Sequence, residues 1–217
     1  WTLPLYAFLG AIFSTWLVYS LARLGNKVPV YTLLLAGVAI SSLLSSRVSF
    51  IMLINAEELK QIVYCMLGSF SGTGWDQVKV AWPFLVLGII FLSFFAKDLN
   101  AMLFGEEAAQ NLGVNLELTK KLLLTFSALT VAAAVSVSGT IGFVGLIIPH
   151  LVRLLVGPDH RILLPTAILV GAIFMVLTDT IARTLLAPVE IPVGIITAFC
   201  GAPFFIYLLK RKHIDLF

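Results

Sequence analysis

The residue types that carry enzymatic chemistry are few in this sequence and poorly spaced for it. Its three histidines, His150, His160 and His213, lie far apart, and there is no H-E-x-x-H pair to hold a catalytic zinc. Gly68-Ser69-Phe70-Ser71-Gly72 resembles a serine nucleophile turn but fails the G-x-S-x-G spacing. Gly72-Thr73-Gly74 lacks the third glycine of a dinucleotide loop, and no G-x-x-x-x-G-K-[ST] phosphate loop is present. The chain therefore has no motif of its own for hydrolysing ATP. Cys65 and Cys200 lack metal-ligand spacing. His150 is read as a residue that packs or hydrogen-bonds between helices, and no metal site or cofactor is expected.

Two groups of charged residues remain. Asp179 and Arg183 stand four apart on one helical face, the spacing of a local ion pair. The other group is Glu106 and Glu107, in a polar stretch that begins at Lys97. Glu106 to Leu112 favours a short helix, with Gly105 before it and Gly113 as its stop. Leu99, Leu103, Ala108 and Leu112 give this stretch apolar residues that could enter a groove on a partner. A solvated helix at the membrane interface is the plain alternative.

The elements that must position these residues are membrane helices. Of the 217 residues, 60% are hydrophobic and 12% charged, about half the charge of an ordinary soluble domain. Mean hydropathy is +1.05. A disulfide scaffold is excluded by two cysteines, and a net charge of +3 does not suggest nucleic acid as a partner. Runs free of Asp, Glu, Lys and Arg predict seven crossings, near 3–22, 30–50, 79–96, 119–138, 143–156, 164–182 and 192–209. The run 122–152 is too long for one crossing and is divided at Ser138-Gly139-Thr140-Ile141-Gly142-Phe143-Val144-Gly145 into one full span and one shorter one. Segment 61–75, rich in Gly and Ser, is read as an amphipathic helix and loop outside the membrane. The whole chain, 1–217, is one all-α transmembrane domain, with 97–118 as a loop on one side.

Lys and Arg favour the cytoplasmic side. If the first span runs inward, Arg23, Lys27, Lys97, Lys120, Lys121, Arg153, Arg161, Lys210, Arg211 and Lys212 are inside. Arg47, Lys60, Lys79 and Arg183 are outside, so the C-terminus is expected in the cytoplasm. The chain opens on Trp1-Thr2-Leu3-Pro4, already apolar, with no Met and no basic signal region. The front of a longer protein, with an odd number of spans, is expected to be absent. Small residues recur every fourth position at Gly37, Ser41 and Ser45, at Ala128, Ala132 and Ser136, at Ala167 and Gly171, and at Gly194, Ala198 and Ala202. Such faces pack helices closely, and Gly37, Ser41, Ser45, Gly194 and Ala198 are also candidates to line a pathway. Pro83, Pro149, Pro165 and Pro203 fall within or at the ends of spans.

Glu107-Ala108-Ala109, three further residues and Gly113 resemble the EAA-x-x-x-G coupling motif of ABC importer permeases, in the form found in the FecCD/BtuC-type family. The likeness runs along the chain. It takes in Leu33 to Ala39, Tyr64 to Trp75, Gly139 to Arg153, Asp159-His160-Arg161, Asp179 to Arg183, Glu190 to Gly194 and Gly201-Ala202-Pro203, in family order. The resemblance implies helices four to ten of a ten-helix permease plus a short cytoplasmic coupling helix. It implies that Leu103, Gly105, Glu106, Glu107, Ala108, Ala109, Leu112 and Gly113 meet an ATPase. Arg183 matches the family's outer arginine, which receives a binding-protein carboxylate. Lys27-Val28-Pro29-Val30-Tyr31-Thr32 falls at the family's inner gate, although Pro29, Val30 and Tyr31 stand where some members have small hydroxyl residues.

The implied assembly contains a second permease copy, two ATPase subunits that hold ATP and Mg, and a periplasmic or lipid-anchored substrate-binding protein. It sits in the cytoplasmic membrane of a bacterium or archaeon. Iron–siderophore, haem, cobalamin and oxyanions such as molybdate are the implied cargo classes. A stand-alone carrier or channel is the alternative, disfavoured by the absence of a carboxylate chain within the spans. An intramembrane enzyme or scaffold is a third reading, and the missing catalytic motifs weigh against the enzyme.

Overall fold

The computed structural model describes residues 2–23, 28–54 and 59–214. Among them there is no strand, and ten helices follow one another: α1 Thr2–Ala22, α2 Val30–Ile54, α3 Leu59–Leu67, α4 Trp75–Phe94, α5 Ala96–Met102, α6 Glu106–Asn111, α7 Leu116–Ser138, α8 Val144–Val156, α9 His160–Thr184 and α10 Val193–Ile214. Five of these, α1, α2, α4, α7 and α9, are long and apolar enough to cross a membrane. The other two expected crossings are α8 and α10. Helix α8 has 13 residues and reaches only ~20 Å at 1.5 Å per residue. Helix α10 has 22 residues, apolar from Val193 through Leu208. Each of the seven expected crossings thus corresponds to a helix, and α8 is the short one.

The helix ends follow from local sequence. The side chain of Asn115 accepts the Leu118 N–H at 3.2 Å and starts α7. The charge-free run breaks where glycine and threonine predict: α7 stops at Gly139, and α8 starts after Phe143. Phe143 is the one non-glycine residue with positive φ, 67°, among the described residues. The short amphipathic helix expected in segment 61–75 is α3, which begins two residues earlier at Leu59 and is followed by a turn through Gly72. The stretch from Lys97 to Gly105, expected as loop, is largely helix α5.

The helices pack as two groups. Helix α7 lies against α1 and α4, with α2 on the far side of α1; α9 lies against α8 and α10. Small residues make the contacts close, and Ala132, Ala133 and Ala182 are fully buried. Ile148, Val152 and Leu163 form a small apolar cluster between α8 and α9, backed by Phe174. Large apolar side chains such as Leu35, Leu53, Phe94 and Leu169 point outward, as a lipid-facing surface permits.

The groups are joined at both ends. At one end α5 packs against α9. At the other, Ser69 N donates to Ser138 O at 2.8 Å, Thr140 N donates to Cys65 O at 3.3 Å and Gly194 N donates to Gly68 O at 3.4 Å. The Thr140 hydroxyl donates to Met66 O, and the Tyr64 hydroxyl donates to Glu190 O at 3.0 Å. Strands of backbone from α3, the α7–α8 turn and the start of α10 therefore form one knot.

Candidate coupling and docking sites

Helix α6 is a single short turn carrying Glu106 to Asn111 between two glycines with positive φ, Gly105 at 104° and Gly113 at 87°. The stop expected at Gly113 is therefore built from a conformation that disfavours a side chain. Ala109 is 0% exposed, and its carbonyl accepts the Val114 N–H at 3.0 Å. Ala109 is thus the residue that seats the helix. Glu106 faces the next helix, with Lys120 Nζ donating to its carboxylate at 2.7 Å. Ala108 is half-buried, while Gly105, Glu107 and Gly113 are exposed.

Three large apolar side chains flank this turn in the open: Leu103, Phe104 at 80% exposure and Leu112 at 69%. Phe104 escaped the sequence reading. The signal available was an aromatic residue next to Gly105 in an otherwise polar stretch. Leu99, expected to point at a partner, is half-buried.

The same end of the molecule collects Arg23, Lys97, Lys120, Lys121, Arg153, Arg161 and Lys210, and the opposite end has Arg47, Lys60, Lys79 and Arg183. Near the cation-rich end, the Thr32 hydroxyl donates to Ala22 O at 3.0 Å and to Pro29 O at 2.8 Å, tying α1 to the start of α2. Pro29 is half-buried and Tyr31 exposed. Lys27 and the side chain of Val30 lie outside the described residues. A cleft of about 580 Å³ opens beside this corner between α1 and α7, lined by Trp16, Tyr19, Arg23, Lys121 and Thr125 among others.

The candidate pathway residues do not converge within this chain. Gly37, Ser41 and Ser45 lie on α2, which packs on α1, and Ser41 and Ser45 are exposed. Gly194 and Ala198 lie on α10, which packs on α8, α9 and α3. Gly194 is packed against backbone: a Cβ there would overlap the Leu67 carbonyl oxygen. It forms part of the knot rather than an open wall.

At that knot end, Arg183 Nε donates to Asp179 Oδ2 at 2.8 Å, the ion pair expected from the spacing. The bond uses one of the five guanidinium donors, and the Arg183 side chain keeps 44% of its surface exposed.

The sequence matches the FecCD transport family over residues 1–211. It is similar to the cobalamin import system permease protein BtuC of Halobacterium salinarum, at 46% identity over 96% of this chain and 56% of that protein. Similarity to the hemin transport system permease protein HmuU of Yersinia pestis is 40% identity over 95% of this chain and 62% of that protein. A solved chain from a metal-chelate type ABC transporter in an inward-facing conformation superposes with a TM-score of 0.81 at 36% identity, covering 96% of this chain and 71% of that one. The chain thus spans 56% to 62% of the length of these two curated relatives.

Proposed function

We propose, from the premise that this chain belongs to the FecCD transport family, that it supplies membrane helices of a binding-protein-dependent ABC importer permease. The five long apolar helices and the family make it part of a multi-pass integral membrane protein. The observation that carries the proposal is the mounting of α6: a turn seated by a buried Ala109, fastened to α7 through Lys120, and flanked by exposed Leu103, Phe104 and Leu112. An external ATPase gripping those side chains would move α5 and α7 with them. On this reading the cation-rich end is the cytoplasmic one, with the C-terminus on the same side. A second permease copy, two ATPase subunits and an external binding protein complete the assembly. Cobalamin and hemin in the relatives' names, and the metal chelate of the superposed transporter, support a macrocycle or metal chelate as cargo.

Proteoliposomes test this reading, with cyanocobalamin and hemin as probes. Uptake is expected only when ATPase, ATP and binding protein are all supplied. Equal uptake by the permease alone down a gradient would establish the stand-alone carrier instead.

The binding protein docks at the knot end, where Arg183 is among few cations. Arg183→Glu is expected to weaken docking by about 1 to several kcal/mol, most at low ionic strength because the attraction is screened by salt. Affinity measured on correctly inserted protein in nanodiscs checks this. Unaltered affinity and salt dependence would make Arg183 a partner of Asp179 alone.

A further inference from the structure

We propose that Asn100 is a positioning residue that transmits movement of the α5–α6 segment to α9, a role that rests on the ABC permease reading above. Its side chain bridges two elements 59 residues apart. Asn100 Nδ2 donates to Asp159 Oδ1 at 2.6 Å. Asn100 Oδ1 accepts the His160 backbone N–H at 2.8 Å and lies 2.8 Å from His160 Nδ1. Asp159 is also the N-cap of α9, accepting the Arg161 N–H at 2.9 Å. One amide thus engages both the capping carboxylate and the first N–H of the helix, a group with no partner inside the helix.

Three features make this contact a transmission point and not only a brace. It lies where the two helix groups meet at the cation-rich end, since α5 packs on α9 there. Helix α5 is joined to α6 by only three residues, 103–105, so displacement of α6 reaches α5 directly. Helix α9 then runs unbroken for 25 residues to Arg183 and the knot. The bonds are directional, and the one to Asp159 is charge-assisted, which makes it stronger than a neutral pair. The Arg161 N–H and then the Asn100 amide hold the Asp159 carboxyl below its ordinary range, so that acceptor is charged at neutral pH. Asn is suited to the place because it offers a donor and an acceptor on one short planar group.

The test uses the reconstituted transporter with its ATPase and binding protein, reading ATP hydrolysed per probe molecule moved, with cyanocobalamin and hemin as probes. Asn100→Ala is expected to keep assembly and basal ATP hydrolysis while that ratio rises roughly tenfold, the scale set by losing a hydrogen bond to a charged group. The exchange Asn100→Asp with Asp159→Asn rebuilds the bridge with the donor reversed and leaves a good N-cap; it is expected to restore the ratio to near the wild-type value. An unchanged ratio in Asn100→Ala overturns the role. If Asn100→Ala does not assemble, Asn100→Gln, which keeps the amide but misplaces it by one methylene, is read instead, and an unchanged ratio there overturns it equally. Wild-type protein that shows no ATP-dependent uptake would defeat the permease reading, whereas coupled wild type with coupled variants defeats only the role of Asn100.

Discussion

Gly113→Val is expected to leave the permease inserted and the ATPase turning over while uptake falls by an order of magnitude or more. Gly113 sits at φ 87°, and a Cβ there would meet nothing within 4 Å. The penalty is therefore conformational, not steric: a β-branched residue held at positive φ costs of order 1–3 kcal/mol. The chain can relieve it by re-forming the turn between α6 and α7. Relief moves Leu112, exposed next to it, and disturbs the Val114–Ala109 bond that seats α6. The membrane helices pack elsewhere, so insertion and melting temperature should change little. Parallel assays of ATP hydrolysis and uptake in proteoliposomes separate the two effects. Wild-type uptake in this variant would remove α6 from the coupling path.

Gly194→Ala is expected to produce the opposite phenotype, a protein that is coupled when folded but much less stable. The added Cβ would overlap the Leu67 carbonyl oxygen and lie 3.6 Å from the Thr140 carbonyl oxygen. Both neighbours are backbone in the knot joining α3, the α7–α8 turn and α10, so neither can rotate away. Overpacking against immobile atoms costs about 1–3 kcal/mol. Gly37→Ala supplies the control, because a Cβ at Gly37 meets nothing within 4 Å and alanine favours the helix by ~1 kcal/mol. Thermal melting in detergent should fall for Gly194→Ala and hold or rise for Gly37→Ala. Equal melting temperatures would show that the knot does not hold the two helix groups together.

These two glycines illustrate what the sequence made legible. Gly113 was readable because its role is local: a glycine just past a short polar helix is a stop signal wherever it occurs. The same kind of signal located the break at 138–143, the short α3 and the bounds of α6. Gly194 was not readable, since spacing by four shows a smooth face but not what lies against it. Its spacing groups it with Gly37 as a close-packing residue and pathway candidate, and the two meet opposite surroundings. Charge-free runs located all seven apolar helices, and dividing the run 122–152 left a shorter second piece, which is the 13-residue α8. The absence of charge bounds a segment without saying where its regular helix begins. Phe143 carries no mark of its left-handed φ, because its conformation is imposed by the turn around it. Asn100 and Asp159 are distant in sequence, and only the packing of α5 on α9 makes them partners. Arg183 and Asp179 were legible as a pair, being one helical turn apart.

On the proposed function, an ATPase grips this chain at the exposed apolar rim of α6. Leu112→Cys, placed in a background where the exposed Cys65 and Cys200 are replaced by serine, tests it most directly through site-specific cross-linking in the assembled transporter. A cross-link from position 112 to the ATPase subunit is expected, with an efficiency that changes between the nucleotide-free and ATP-bound states. The same experiment at Leu53, exposed on α2 far from α6, should give none. Cross-linking to the ATPase from position 53 but not from position 112 would show that the ATPase does not grip α6.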